Sequence, residues 1–148
     1  MELATAWADW GLFGLFWASF LAATLLPFSS EAVVAACTLG PWSFAELLAV
    51  ATAGNWLGGM STYGLGRLGE PARIARWLRS DPVKVEHWRN KVERHGAWLA
   101  LLCWLPVLGD PLALALGLGR SKALPTALLM LVGKAARYAL VLWSLRSL

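Results

Sequence analysis

Charged residues are scarce in this sequence. They make up 15% of its 148 residues, against about 25% in an ordinary soluble domain, while hydrophobic residues make up 58%. The two cysteines and two histidines do not stand at the spacing of metal ligands. This composition argues against a soluble domain and against a metal site. It predicts one integral membrane domain (1–148) without a cofactor.

The net charge of +4 lies in one central segment. From Arg67 to Arg94 there are eight Lys or Arg residues and four acids, whereas the rest of the chain has five of each. Nucleic-acid binding normally needs a basic face on a soluble body, but long uncharged runs flank this segment. By the positive-inside rule we expect segment 67–95 and the Arg120–Lys122 turn to be cytoplasmic, and we expect no nucleic-acid partner.

The central segment has the pattern of two amphipathic helices. Arginines recur every third residue in Pro71–Arg79. A second helix is expected to be capped by Ser80 or Asp81, to start at Pro82 and to end before Gly96. Basic amphipathic helices favour an anionic membrane surface, and the alternative is a solvated connector over the ends of the spans.

Long uncharged runs predict membrane helices. A spanning helix needs about 20 apolar residues. Residues 45–66 and 123–145 qualify, the second only if it hides Lys134 and Arg137 inside the protein.

Two further apolar regions are broken by prolines. Pro27 interrupts the first region, and Pro106 and Pro111 interrupt the second. Each region is therefore expected to form two half-helices joined by an elbow. Irregular backbone at membrane depth survives only where protein or water covers it, so we expect re-entrant hairpins. A full span through residues 10–29 stays open as an alternative.

A shift of 79 residues aligns the two broken regions without a gap. The proline, a lone acid four residues later and the glycine that closes the region coincide: Pro27 with Pro106, Glu31 with Asp110, and Gly40 with Gly119. We therefore predict an all-α membrane protein with an inverted repeat, each repeat being a re-entrant hairpin followed by a transmembrane helix. The repeats cover about 10–67 and 96–146, and the linker covers 68–95.

Four charges fall inside the apolar regions: Glu31, Asp110, Lys134 and Arg137. A charge at the bilayer centre costs roughly 2.5 to 3.5 kcal/mol, so such residues are usually functional or paired. Glu31 and Asp110 are expected to meet between the hairpins, and two acids in a poorly solvated cavity bind a proton readily. Lys134 and Arg137 are able to neutralise the acids or to hold a phosphate. The alternative is a buried structural ion network.

A ridge of small residues, here called the glycine ridge, repeats every four positions: Gly54, Gly58, Thr62 and Gly66. It predicts close helix packing and is one candidate contact for a homodimer. Asn55 and Tyr63 stand on the same helix and are expected either to line a cavity or to hydrogen-bond between helices.

Four segments together resemble a known family: Pro27–Glu31, Gly54–Arg67, Trp104–Pro111 and Gly133–Tyr138. They look like the DedA (SNARE-associated, VTT-domain) superfamily, in its short YqaA-type branch. The resemblance implies a multi-pass protein of the bacterial inner membrane whose two re-entrant hairpins face each other. It also implies movement of phospholipid or polyprenyl phosphate between leaflets, with dependence on the proton gradient.

The family motifs match this chain at Glu31 in the first hairpin and at Tyr63, Gly66 and Arg67. The main branch has arginines flanking the second elbow proline, where this chain has Cys103 and Gly109. Lys134 and Arg137 could supply the missing positive charge from the next helix.

The candidate site contains two groups of residues. The proton and substrate candidates are Glu31, Asp110, Lys134 and Arg137. The elbow and cavity candidates are Pro27, Ser29, Ser30, Asn55, Tyr63, Arg67, Pro106, Gly109, Pro111 and Tyr138. We expect a proton-coupled lipid flippase or scramblase whose partners are lipid phosphate head groups and protons.

We do not expect an enzyme, because there is no nucleophile elbow and His95 falls at the membrane boundary. A small-solute or ion transporter and a non-transporting structural or assembly factor remain alternatives. A homodimer that builds a shared cavity also stays open.

Overall fold

The computed structural model describes residues 2–24, 29–70, 72–73, 76, 81–105 and 108–148. Every element in these ranges is helical, which confirms the predicted all-α class. The elements are α1 (Glu2–Ala22), α2 (Ser30–Cys37), α3 (Phe44–Leu68), α4 (Pro82–His95), a 3₁₀ helix (Gly96–Trp104), α5 (Gly109–Leu118) and α6 (Ala123–Arg146). The elbow prolines Pro27 and Pro106 and most of the predicted helix over Pro71–Arg79 lie outside the described residues.

Each broken apolar region forms two helices, as the prolines predicted. The first region contains α1 and α2, and the second contains the 3₁₀ helix and α5. The sequence did not indicate the 3₁₀ geometry of Gly96–Trp104. This helix begins at Gly96, whose φ of 62° ends α4 in a conformation that favours glycine.

Helix starts in the two predicted repeats keep the offset found in the sequence. α2 and α5 begin 79 residues apart, and so do α3 and α6. Glu31 and Asp110 are each the second residue of their helix, where the helix dipole favours a negative charge. The two acids therefore have the same local setting.

Local side-chain caps explain where α3 and α4 begin. Ser43 and Glu46 form a reciprocal capping box: Glu46 Oε2 accepts the Ser43 backbone N–H at 2.7 Å, and Ser43 Oγ accepts the Glu46 backbone N–H at 3.2 Å. Asp81 accepts the Val83 backbone N–H at 3.0 Å, and Pro82 follows as the first helical residue. The predicted Asp81 cap and Pro82 start of the second linker helix are confirmed.

The chain divides into two compact units. Unit 1 contains residues 1–58 and 134–148, and unit 2 contains residues 59–133, so each takes residues from both predicted repeats. The core of unit 1 consists of Leu15, Val34, Cys37, Leu47, Ala51, Tyr138 and Leu142. In unit 2, α5 packs against the 3₁₀ helix and α4, and residues 112–118 are all buried.

α6 has one apolar exposed face and one buried face that contains charge. The exposed large residues are Leu124, Leu128, Val132, Leu140 and Trp143. Lys134 is only 1% exposed, and the Arg137 side chain is 13% exposed, so the predicted hiding of both charges is confirmed. α6 is the one helix in the described ranges that has both the length and the hydropathy of a membrane span. α3 has the length, at 25 residues, but it lacks a stretch of the hydropathy found in α6, and its crossing stays a prediction.

Candidate functional site

An ion pair joins α2 and α6 in unit 1. Arg137 Nη2 donates to Glu31 Oε1, and Glu31 Oε2 accepts a hydrogen bond from Ser29 Oγ at 3.1 Å. Ser29 precedes α2 with an extended backbone, and its hydroxyl binds the carboxylate instead of capping the helix. Both oxygens of Glu31 are therefore held.

The two members of this ion pair differ in burial. The Glu31 side chain is 34% exposed, whereas that of Arg137 is 13% exposed. The Arg137 guanidinium also lies 5.7 Å from the centroid of the Tyr138 ring, within the range of a cation–π contact. Tyr138 is fully buried, and its hydroxyl forms a hydrogen bond with Ser30 Oγ at 2.7 Å. The acid is therefore the more accessible member of the pair.

A second polar network in unit 1 contains the buried lysine. Lys134 Nζ donates to Asn55 Oδ1, and Asn55 Nδ2 donates to the backbone carbonyl of Ser19 at 3.1 Å. All three residues are buried. The Asn55 amide therefore links α1, α3 and α6.

Sequence reasoning missed two buried hydroxyls on these helices. Ser19 Oγ on α1 and Thr52 Oγ1 on α3 have no hydrogen-bond partner among the residues that the structure describes. Thr52 stands three residues before Asn55, so the two share a helix face. A buried hydroxyl without a partner is uncommon, because leaving it unsatisfied costs about 1 to 3 kcal/mol. In the sequence, Ser19 and Thr52 could have been recognised only as isolated hydroxyl residues within uncharged runs.

A hydrogen-bonded cluster in unit 2 holds the turn between α5 and α6. Tyr63 OH donates to the Ser121 carbonyl at 2.6 Å. Arg67 Nη1 donates to Tyr63 OH at 2.7 Å and to the same carbonyl at 3.0 Å. Of the two roles considered for Asn55 and Tyr63, the structure shows hydrogen bonding. No sequence pattern indicated that Ser121 would be the acceptor.

The glycine ridge is buried inside the chain. Gly54 and Gly58 lie against backbone carbonyls of α1 in unit 1, and Gly66 lies against the Leu114 carbonyl of α5 in unit 2. A Cβ atom at any of these glycines would collide with a backbone oxygen. The ridge therefore serves packing within the chain and is not an exposed contact for a homodimer. The homodimer itself stays a prediction.

Asp110, the acid of the predicted second hairpin, lies in unit 2 in the first turn of α5, next to the exposed Pro111. Gly109 begins this helix, and a Cβ atom there would meet the Cys103 carbonyl. This position therefore has no room for the arginine expected from the main branch of the family. The meeting of Asp110 with Glu31 stays a prediction.

Comparison with known proteins identifies the family. Over 131 residues, the chain is 41% identical to inner membrane protein YqaA of Escherichia coli (strain K12). The alignment covers 88% of this chain and 87% of that protein. The chain belongs to the YqaA family of inner membrane proteins. YqaA of Shigella flexneri matches to the same extent.

The other comparisons give one further relative and no activity. A Haemophilus influenzae protein named only as uncharacterized is 35% identical over 151 residues, which cover 95% of this chain and 90% of that protein. No sequence-family model and no solved structure matches the chain. Membership of the YqaA family makes the chain an inner membrane protein, and the apolar exposed face of α6 is suited to contact with lipid.

Proposed function

We propose that this YqaA-family chain moves phospholipid or polyprenyl-phosphate head groups across the bacterial inner membrane as a proton-coupled flippase or scramblase, and that it belongs to the DedA superfamily. The Glu31–Arg137 ion pair carries the proposal. It combines an accessible acid with a more deeply buried guanidinium, on a helix whose opposite face is apolar. Charges in such a position usually serve a transport path or pair with each other.

The chemistry of the pair links proton binding at Glu31 to phosphate binding at Arg137. A guanidinium forms paired hydrogen bonds with either a carboxylate or a phosphate. Protonation of Glu31 removes its charge and releases Arg137 to bind a lipid phosphate, and deprotonation restores the competing carboxylate. Lys134, one turn before Arg137 on α6, adds a second positive charge. Asp110 supplies a second proton site from the equivalent position of the other repeat.

The contact between Asn55 and Lys134 supports the inverted repeat within this proposal. The two residues are 79 positions apart, so they are equivalent under the offset of the repeats. A two-fold axis that passes between two equivalent positions brings them together. The proposed topology has two opposed hairpins, a multi-pass chain and a cytoplasmic segment 67–95.

The lengths of the half-helices bear on the hairpins. α2 has 8 residues and α5 has 10, which is too short to cross a bilayer that needs about 20. α1 has 21 residues, so the first region retains the alternative of a full span. Among the described residues of the second region there is no helix of that length, because its 3₁₀ helix has 9 residues and α5 has 10.

Head-group translocation in proteoliposomes tests the proposal. Fluorescent phospholipid and polyprenyl phosphate are followed with and without a pH gradient, for the intact chain and for Glu31→Gln with Asp110→Asn. We expect the double variant to lose the response to the gradient. Glu46→Gln is the matched control, because Glu46 is exposed and glutamine retains a capping box.

Each other outcome points to a different function. Unaltered gradient-dependent transport by the double variant would remove the proton role. Movement of a soluble solute without lipid would favour a solute or ion transporter. If the intact chain translocates nothing, the buried charges act as a structural ion network and the chain is an assembly factor.

A further inference from the structure

The turn between α5 and α6 in unit 2 brings three cation-bearing positions together, and exposed leucines stand within two positions of them in the chain. The cations are Arg67, Arg120 and Lys122, and the leucines are Leu65, Leu68 and Leu124. Within the part of the chain that the structure describes, none of the three cations forms an ion pair. Positive charge next to exposed apolar side chains is the pattern of a surface at the boundary between water and lipid.

Hydrogen bonds fix the geometry of this turn. Arg67 and Tyr63 both donate to the Ser121 carbonyl, between Arg120 and Lys122 in the chain. Ser121 is buried, and its Oγ donates to a backbone carbonyl at the end of α5 and pairs with the Thr126 hydroxyl of α6. These hydrogen bonds hold the Arg67 guanidinium and the backbone between Arg120 and Lys122, so only the exposed side chains of Arg120 and Lys122 need ordering when a ligand binds.

Arg120 stands where glycine is the usual residue. The Ser121 N–H donates to the Leu116 carbonyl and the Arg120 N–H to the Gly117 carbonyl, which together form a Schellman motif at the end of α5. Arg120 takes the left-handed position of that motif with a φ of 51°, the one positive φ among the described non-glycine residues. Its side chain is exposed, so packing does not account for this strained choice. What arginine adds over glycine here is its charge and its hydrogen-bond donors.

We propose that the Arg67–Arg120–Lys122 cluster binds the phosphate of an anionic phospholipid head group at the membrane surface. The cations contact the phosphate, and the exposed leucines contact the upper acyl chain. The inference requires the inner-membrane location of the chain but not its transport activity. A negative result for the proposed transport function would therefore leave this inference in place.

Binding to phosphatidylglycerol and to phosphatidylcholine in detergent solution tests the inference. We expect the full chain to prefer phosphatidylglycerol and the preference to weaken at high salt. Arg120→Gly should weaken phosphatidylglycerol binding by about fivefold, and adding Lys122→Gln should weaken it by about fivefold again. Without lipid, the Tm of Arg120→Gly should stay within about 2 °C of the parent or exceed it, because glycine suits this backbone position.

The matched control is Arg146→Gln, at the other end of α6, which should leave the lipid preference unchanged. Arg120→Gln provides a second test that does not depend on the tolerance of the turn for glycine. Unchanged phosphatidylglycerol binding by Arg120→Gln with Lys122→Gln would overturn the inference, as would equal binding of both lipids by the parent chain. If inorganic phosphate stabilised the parent chain as much as phosphatidylglycerol does at the same concentration, the assignment to lipid would be overturned.

Discussion

Asn55 of α3 accepts a hydrogen bond from the buried ammonium group of Lys134 of α6, and the two residues are 79 positions apart in the chain. The same offset relates the starts of α2 and α5 and those of α3 and α6. One polar residue on each long helix thus stands at the same repeat position. The repeat pattern read from the sequence therefore coincides with a specific contact in the core of unit 1.

Removing the Asn55 amide should destabilise the fold. Asn55→Leu takes the acceptor from a buried ammonium group, and we expect the free energy of unfolding to fall by about 2 to 3 kcal/mol. Adding Lys134→Met should recover part of this loss, because no buried charge then remains at that position. Denaturant unfolding in detergent measures both. Asn90→Leu is the matched control, since Asn90 is exposed on α4; an equal loss there would contradict the account.

Loss of Glu31 and loss of Arg137 should lower the free energy of unfolding by different amounts. Glu31→Gln leaves a buried guanidinium without its carboxylate, whereas Arg137→Gln leaves a carboxylate that is one-third exposed. We therefore expect Glu31→Gln to lower the unfolding free energy more, with a coupling of about 1 to 3 kcal/mol in the double-variant cycle. The exposed pair Glu70–Arg73 should show at most about 1 kcal/mol in the same cycle. Equal couplings for the two pairs would argue against a buried pair.

Close packing of α1 on α3 should depend on Gly54 and Gly58. Alanine at either position places a methyl group on a backbone carbonyl of α1, and we expect a loss of about 1 to 3 kcal/mol in unfolding free energy. Gly64→Ala is the control on the same helix, because its Cβ atom would meet nothing within 4 Å. That variant should gain up to about 1 kcal/mol from helix propensity. A loss at Gly64 equal to that at Gly54 would show that general helix effects dominate.

The sequence predicted best what depends on neighbouring residues. Asp81 and Pro82 at the start of α4 and the break of each apolar region near its proline follow from local capping and backbone chemistry. The buried side of α6 could also be predicted, because Lys134 and Arg137 cannot face lipid.

The sequence could not show which charged and polar residues pair with each other, because pairing depends on contacts between distant segments. Glu31 lies against Arg137, while Lys134 lies against the neutral Asn55 amide, and the sequence offered either cation to the acid. The strained Arg120 was also hidden, because Gly119 directly before it is the residue that a sequence pattern would place there.

The most direct test of the central claim measures lipid head-group translocation by Glu31→Gln and by the parent chain across a series of imposed pH gradients. We expect the parent rate to rise with the gradient, since protonation of Glu31 releases Arg137. We expect Glu31→Gln to translocate at a rate independent of the gradient, because glutamine cannot exchange the proton. A Glu31→Gln chain whose rate follows the gradient as the parent does would contradict the claim.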